Sequence, residues 1–147
     1  MKPFSKLLGF ASIVVIIDRL SKNWILEHFS IGDSHRITSF FYLTLVNNTG
    51  SAFGFLQRHN GLLLGISCSI LLGLLFSAWS LCDQGGQWAF WGLALIIGGA
   101  IGNMIDRWAY GLVIDFLDFR VWPVFNLADS SICVGAGFLG LGLFRKR

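Results

Sequence analysis

Within the sixteen residues from Asn103 to Asp118 the chain places three carboxylates, Asp106, Asp115 and Asp118, beside one guanidinium, Arg107, and one amide, Asn103. They follow directly on an apolar run, and a further carboxylate, Asp129, comes three residues after Asn126. Ionised carboxylates at the edge of a lipid-like span are costly unless they are protonated or paired. Asp129 has no basic neighbour in sequence, so Asp115, Asp106 or Arg107 must be brought to it from another segment. Two carboxylates held together in a poorly solvated site share a proton. The ionised member can then take a proton from water while the protonated member polarises a carbonyl, with no metal or covalent intermediate required. The competing arrangement has Asp115 and Asp129 each neutralise a different cation, Arg107 and Arg120 being available. Spacing alone leaves both open.

The elements that must position these groups are helical spans. If residues 98–107 form a helix, Gly99, Asn103 and Asp106 share one face, with Arg107 close to it. Gly98 and Gly102 form a G-x-x-x-G pair suited to close helix approach, so this polar face looks inward. A chain of 147 residues, 54% hydrophobic and 13% charged, with a mean hydropathy of +0.68, reads as a single integral membrane domain over residues 1–147. Four segments, about 4–26, 61–81, 88–106 and 125–144, are of a length to span a hydrocarbon core. The fold class expected is all-α: a four-transmembrane-helix bundle with a small extracytoplasmic β-containing platform, built from outer loops at about 27–60 and 107–124. Lys2, Lys6, Arg145, Lys146 and Arg147 lie at the two ends of the chain and put both termini in the cytoplasm. The net charge of +3 lies largely in these anchors and does not point to nucleic acid. The first span is expected to remain uncleaved, since no A-x-A-like site follows it.

Asp18 and Lys22 stand four apart on one helix face and can pair, a structural role near the outer end of the first span. Ile37–Val46 is rich in β-branched and aromatic residues, as in a strand, and Asn47–Gly50 carries a turn signal. This stretch reads equally as a plain hairpin or as an edge strand able to pair with an extended peptide. Phe40, Phe41, Tyr42, Phe53 and Phe55 supply aromatic bulk for the headgroup layer. Gly61 and Gly65 are available for close packing, Cys82–Gln87 reads as a turn between antiparallel helices, Gly111 should end a helix, and Pro123 suits the start of the last one. Cys68, Cys82 and Cys133 read as small packing residues. His28, His35 and His59 read as solvated loop side chains, so no metal and no cofactor are expected.

Five ordered blocks then carry a resemblance across essentially the whole chain: DRLSK at 18–22, NTGSAFG at 48–54, GGAIGNMIDR at 98–107, GLVIDFLDF at 111–119 and FNLADSSI at 125–132. The sequence resembles the lipoprotein signal peptidases (signal peptidase II), with Ser51 where Ala is more usual. The resemblance implies a membrane aspartyl endopeptidase with Asp115 and Asp129 as its catalytic pair and Asp106 as a supporting acid. It further implies that Asn103 and Arg107 contact the substrate or order the pair. Asn48, Gly50 and Asn126 would hold the substrate backbone, and Asp18 with Lys22 would be mainly structural. The implied partner is a diacylglyceryl-modified prolipoprotein, cut before its lipidated cysteine, with membrane lipid around a monomeric enzyme. The implied location is the bacterial cytoplasmic (inner) membrane, with the active site near the outer surface.

Two other classes compete. A small proton-coupled four-helix transporter would use intramembrane carboxylates near the midplane and often shows repeat symmetry, whereas here the acids gather toward one face without a repeat. A non-catalytic assembly factor would dock partners on the aromatic outer loop. Loss of precursor cleavage on a carboxylate-to-amide change separates the peptidase from both.

Overall fold

The computed structural model describes residues 2–50 and 59–145. Its elements, in order, are helix α1 (Lys2–His28), strands β1 (Ser34–Arg36) and β2 (Tyr42–Asn48), helix α2 (Asn60–Tyr110), strand β3 (Val113–Asp118) and helix α3 (Leu127–Phe144). The length of α2 is the first thing to explain. A straight helix of its 51 residues would run about 75 Å, yet Asn60 Nδ2 in its first turn donates to the Arg107 carbonyl in its last at 2.9 Å. The helix is broken at Gly86, whose φ of 58° and ψ of −142° suit only glycine. Segments 60–85 and 87–110 are therefore two arms whose far ends meet. The turn expected over Cys82–Gln87 contracts to this one residue, with helix on either side.

Two helices, Asn60–Tyr110 and Leu127–Phe144, are long and apolar enough to cross a membrane. Several of their large side chains face outward, Leu72 being 66% and Phe76 93% exposed, as suits a surface solvated by lipid tails. In α1 the apolar run is interrupted by Asp18, Arg19 and Lys22, of which Asp18 and Lys22 are buried against the other elements. Along α1 these two charges separate an apolar cluster of Leu7, Ala11, Leu71, Ala78, Leu93, Ala94 and Ile97 from a second one of Ile25, Leu45, Ile114 and Phe116. Gly98 and Gly102 face α1: a Cβ at Gly98 would stand 2.7 Å from the Ala11 carbonyl, and one at Gly102 would stand 2.6 Å from Asp18 Oδ2. Gly61 and Gly65, by contrast, have nothing within 4 Å of a Cβ, so the packing expected of them is not made among the described residues.

The platform is a three-stranded antiparallel sheet in the order β1-β2-β3. The extended stretch expected at Ile37–Val46 is displaced: residues 37–40 bend, and β2 runs on through Asn47 and Asn48, where a turn is expected. The segment after Gly111 is a strand, β3, and it pairs with β2 so that Asp115 lies opposite Val46. The fold is thus mainly helical with a small sheet rather than all-α. Helix α2 runs past residue 106 to Tyr110 and stops at Gly111, whose φ of 74° is left-handed and whose N–H donates to the Arg107 carbonyl at 3.1 Å. Asn126 caps α3, so Pro123 precedes the helix instead of opening it. Residues 51–58, which include Ser51, Phe53 and Phe55, lie outside the described residues.

Candidate active site

Two elements deliver the carboxylates. Asp115 comes from β3 and is 2% exposed. Asp129 occupies the first turn of α3, where the sequence Asn-Leu-Ala-Asp closes a capping box. The Asn126 side-chain oxygen accepts from the Asp129 N–H at 2.9 Å, and Asp129 Oδ2 accepts from the Asn126 N–H at 3.3 Å. The box carries Asp at the position more often held by Glu or Gln. One oxygen of Asp129 is turned back to its helix, and the other, Oδ1, accepts from Asn103 Nδ2 at 2.7 Å.

Asparagine amides surround the pair. Asn126 Nδ2 donates to Asp115 Oδ1 at 2.7 Å, Asn48 Nδ2 donates to Asp115 Oδ2 at 2.9 Å, and Asn126 Nδ2 also lies 3.1 Å from Asn103 Oδ1. Neutral donors orient both carboxylates without neutralising either. Burial pushes the Asp115 carboxyl up to about 7, and the charge of Asp129 beside it pushes the same way. The Asn48 and Asn126 hydrogen bonds and the charge of Lys22 oppose the rise. A proton is therefore held in this site near neutral pH.

Behind the amides the charged residues close on themselves. Lys22 Nζ, fully buried, lies 2.7 Å from Asp18 Oδ2, 2.7 Å from Asp106 Oδ2 and 3.0 Å from Asn103 Oδ1. Arg19 pairs with the other oxygen of Asp106. The Ala128 N–H at the start of α3 donates to Asp18 Oδ1 at 2.9 Å, and the Ile114 N–H donates to Asp106 Oδ2 at 3.3 Å. The 18/22 pair thus extends into a four-residue ion cluster joining α1 to α2, α3 and β3. Arg19, adjacent to Asp18 in sequence, was passed over as a site residue. Arg107 reaches elsewhere: its guanidinium donates to the Gly50 carbonyl at 2.8 Å and lies 3.4 Å from Asn60 Oδ1.

A cavity of about 1170 Å³ opens over the pair, lined on its polar side by Asn48, Gly50, Asn103, Arg107, Asp115 and Asp129. Apolar residues, among them Val121, Trp122, Val124, Phe125 and Ile132, complete its lining. Cys133, expected to pack in a core, is exposed and lines the same cavity. It stands one helical turn after Asp129, and that i,i+4 spacing was the signal in the sequence that could have found it. Asp118 does not join the pair. Its Oδ2 accepts from Thr44 Oγ1 at 2.8 Å and meets Arg120 at 3.5 Å, while Arg120 lies over the Tyr42 ring at 3.8 Å. Arg120 is therefore engaged by Asp118. Such a site, two partly desolvated carboxylates under a half-apolar cavity, can activate a water and polarise a carbonyl.

Residues 10–145 match the family model described as signal peptidase (SPase) II, Peptidase_A8. A lipoprotein signal peptidase of Janthinobacterium sp. (strain Marseille) is 48% identical over 140 residues, covering 88% of this chain and 82% of the relative. One from Paraburkholderia phytofirmans is 47% identical over 150 residues, covering 95% and 84%. Among solved structures, one described as a bacterial membrane enzyme structure by the in meso method at 2.3 Å resolution superposes with a TM-score of 0.88 at 31% identity, covering 96% of this chain and 88% of that one.

Proposed function

The chain belongs to the lipoprotein signal peptidase (signal peptidase II) family of aspartic peptidases, and from that premise we propose that Asp115 and Asp129 are its catalytic dyad. The substrate in this reading is a diacylglyceryl-modified prolipoprotein, cleaved on the N-terminal side of its lipidated cysteine. The observation that carries the assignment is the amide bridge: Asn126 holds Asp115 through its side chain and Asp129 through its backbone N–H, and both carboxylates line one cavity. The ionised carboxylate takes a proton from water as that water attacks the scissile carbonyl. The protonated one donates to the developing oxyanion; on collapse the first carboxyl passes the proton it took from water to the leaving amine, and the tetrahedral hydroxyl returns its proton to the second carboxylate. The titration belongs to the pair.

The four helical rods formed by α1, the two arms of α2 and α3 are read as four membrane spans. Both termini then lie on the cytoplasmic side, and the sheet and cavity lie at the outer surface of the bacterial cytoplasmic membrane. This placement lets acyl chains stay in lipid beside the apolar lining at Val121 and Trp122 while the peptide meets the dyad from water. Residues 1–147 act as one domain, and a monomer suffices because one chain supplies both acids. Asn103, Asn48 and Asn126 order the dyad, and Arg107 holds Gly50 at the cavity wall.

The test is a gel-shift assay of purified protein with a diacylglyceryl-modified precursor, run on wild type, Asp115→Asn and Asp129→Asn with folding checked in parallel. Cleavage by wild type and by neither folded variant supports the reading. Near-normal turnover by either variant removes that residue from the dyad.

A further inference from the structure

We propose that Lys22 is a positioning residue for peptide cleavage: its ammonium fixes the Asn103 side chain in the orientation that presents an N–H to Asp129. The inference rests on the dyad reading above. It starts from a count of donors. The buried ammonium has three N–H groups and three oxygens around it, on Asp18, Asp106 and Asn103. Asn126 Nδ2, the other donor near Asn103 Oδ1, has two N–H groups and three oxygens within reach: Asp115 Oδ1 at 2.7 Å, Asn103 Oδ1 at 3.1 Å and the Ile114 carbonyl at 3.3 Å. Asn126 therefore divides its two N–H groups among three acceptors, and its contact with the Asn103 oxygen is longer than that of Lys22 by 0.1 Å, 3.1 against 3.0 Å. An asparagine amide has two orientations of similar intrinsic energy, and its neighbours decide between them. Reversing Asn103 would set its N–H groups against the ammonium and against Asn126, and its carbonyl against the Asp129 carboxylate. Lys22 supplies the donor that forbids this.

The surroundings of Lys22 make it a fixed strut. Asp18 and Arg19 face it from α1, Asn103 and Asp106 from α2, Asp129 through Asn103 from α3, and Asp115 from β3. Arg107, on α2, acts electrostatically on both dyad carboxylates. Within the ion cluster, two cations and two carboxylates cancel. The positive charge of Lys22 also reaches Asp115 and works against its rise. Loss of Lys22 therefore has two consequences: Asn103 is freed to turn, and the dyad holds its proton more tightly.

Removing Lys22 alone would strand a buried carboxylate, so the first variant is the charge-balanced Asp18→Asn/Lys22→Met, compared with wild type for cleavage of a diacylglyceryl-modified precursor. The expected result is a kcat lower by ~10-fold or more with KM within about twofold, because the lost contact orders the reacting group and does not bind substrate. A folded variant with kcat within about twofold of wild type, or one whose loss lies in KM alone, overturns the proposal. A second variant, Asn103→Leu, leaves the ion cluster whole and keeps the proposal testable if the first does not fold. Its kcat should fall by a similar factor at unchanged KM, and adding Asp18→Asn/Lys22→Met to it should cost less than about threefold more. Full activity in Asn103→Leu, or a further fall as large as the first, overturns the proposal. Asp115→Asn and Asp129→Asn run alongside separate the two ideas. Cleavage by either defeats the dyad reading itself, whereas their inactivity beside a fully active Asn103→Leu defeats only the role of Lys22.

Discussion

Two groups of carboxylates lie on either side of Asn103, and they differ in what holds them. Asp18 and Asp106 are met by Lys22 and Arg19, cations that pair with them. Asp115 and Asp129 are met by Asn48, Asn103 and Asn126, which donate hydrogen bonds but carry no charge. The first group is enclosed by α1, α2, α3 and β3; the second opens on a cavity. A buried acid paired with a cation serves as a strut, because the pair ties one element to another. An acid oriented by amides keeps a choice of protonation state, which acid–base chemistry requires.

The contrast can be broken at several points. The largest effect is expected at Asp115→Asn or Asp129→Asn, which should lower turnover by ~10³-fold or more while the protein still folds. Turnover assays beside thermal unfolding in detergent would check this, and an active variant would end the distinction. Asp106→Asn should do the reverse and destabilise the protein by ~3–5 kcal/mol, since it leaves buried cations short of a carboxylate. Unchanged unfolding there would mean that the strut carries nothing. A pH series sharpens the difference. Asp115 is raised from 3.8 to about 7, so between those values the unfolded chain releases a proton that the folded chain retains, and stability falls as pH rises through that window. The unfolding midpoint of Asp115→Asn should gain on wild type from pH 4 to pH 7 and level off above, by roughly a few kcal/mol in all. A gap that narrows with rising pH would contradict the assignment. Gly102→Ala should cost ~1–3 kcal/mol by pressing a methyl against Asp18 Oδ2, 2.6 Å from where it would sit. The smallest effect is expected outside both groups: Thr44→Val removes the 2.8 Å donation to Asp118 and should cost ~1 kcal/mol with cleavage within about twofold.

Helices α2 and α3 were legible because their apolar runs are long, and the inward polar face of residues 99–106 followed from helical spacing. The strand carrying Asp115 was not legible. Only Leu117 in Val113–Asp118 escapes full burial, so no polar alternation marks it, and its partner Val46 lies far away in sequence. The reach of Lys22 was hidden for a related reason. Spacing exposed its pairing with Asp18 four residues back, but Asp106 and Asn103 come to it through tertiary packing across the Gly98 and Gly102 contact with α1. The family blocks marked which residues matter without saying that asparagines hold one set of acids and cations the other.

The order of the elements bears on biosynthesis. Asp115 leaves the ribosome with β3, but Asp129 and the bridging Asn126 arrive only with the start of α3, the last element of the chain. A nascent chain halted before that helix carries one acid of the proposed pair and no bridge. On the proposed pairing, such a chain would lack hydrolytic competence until the first turn of α3 has been made.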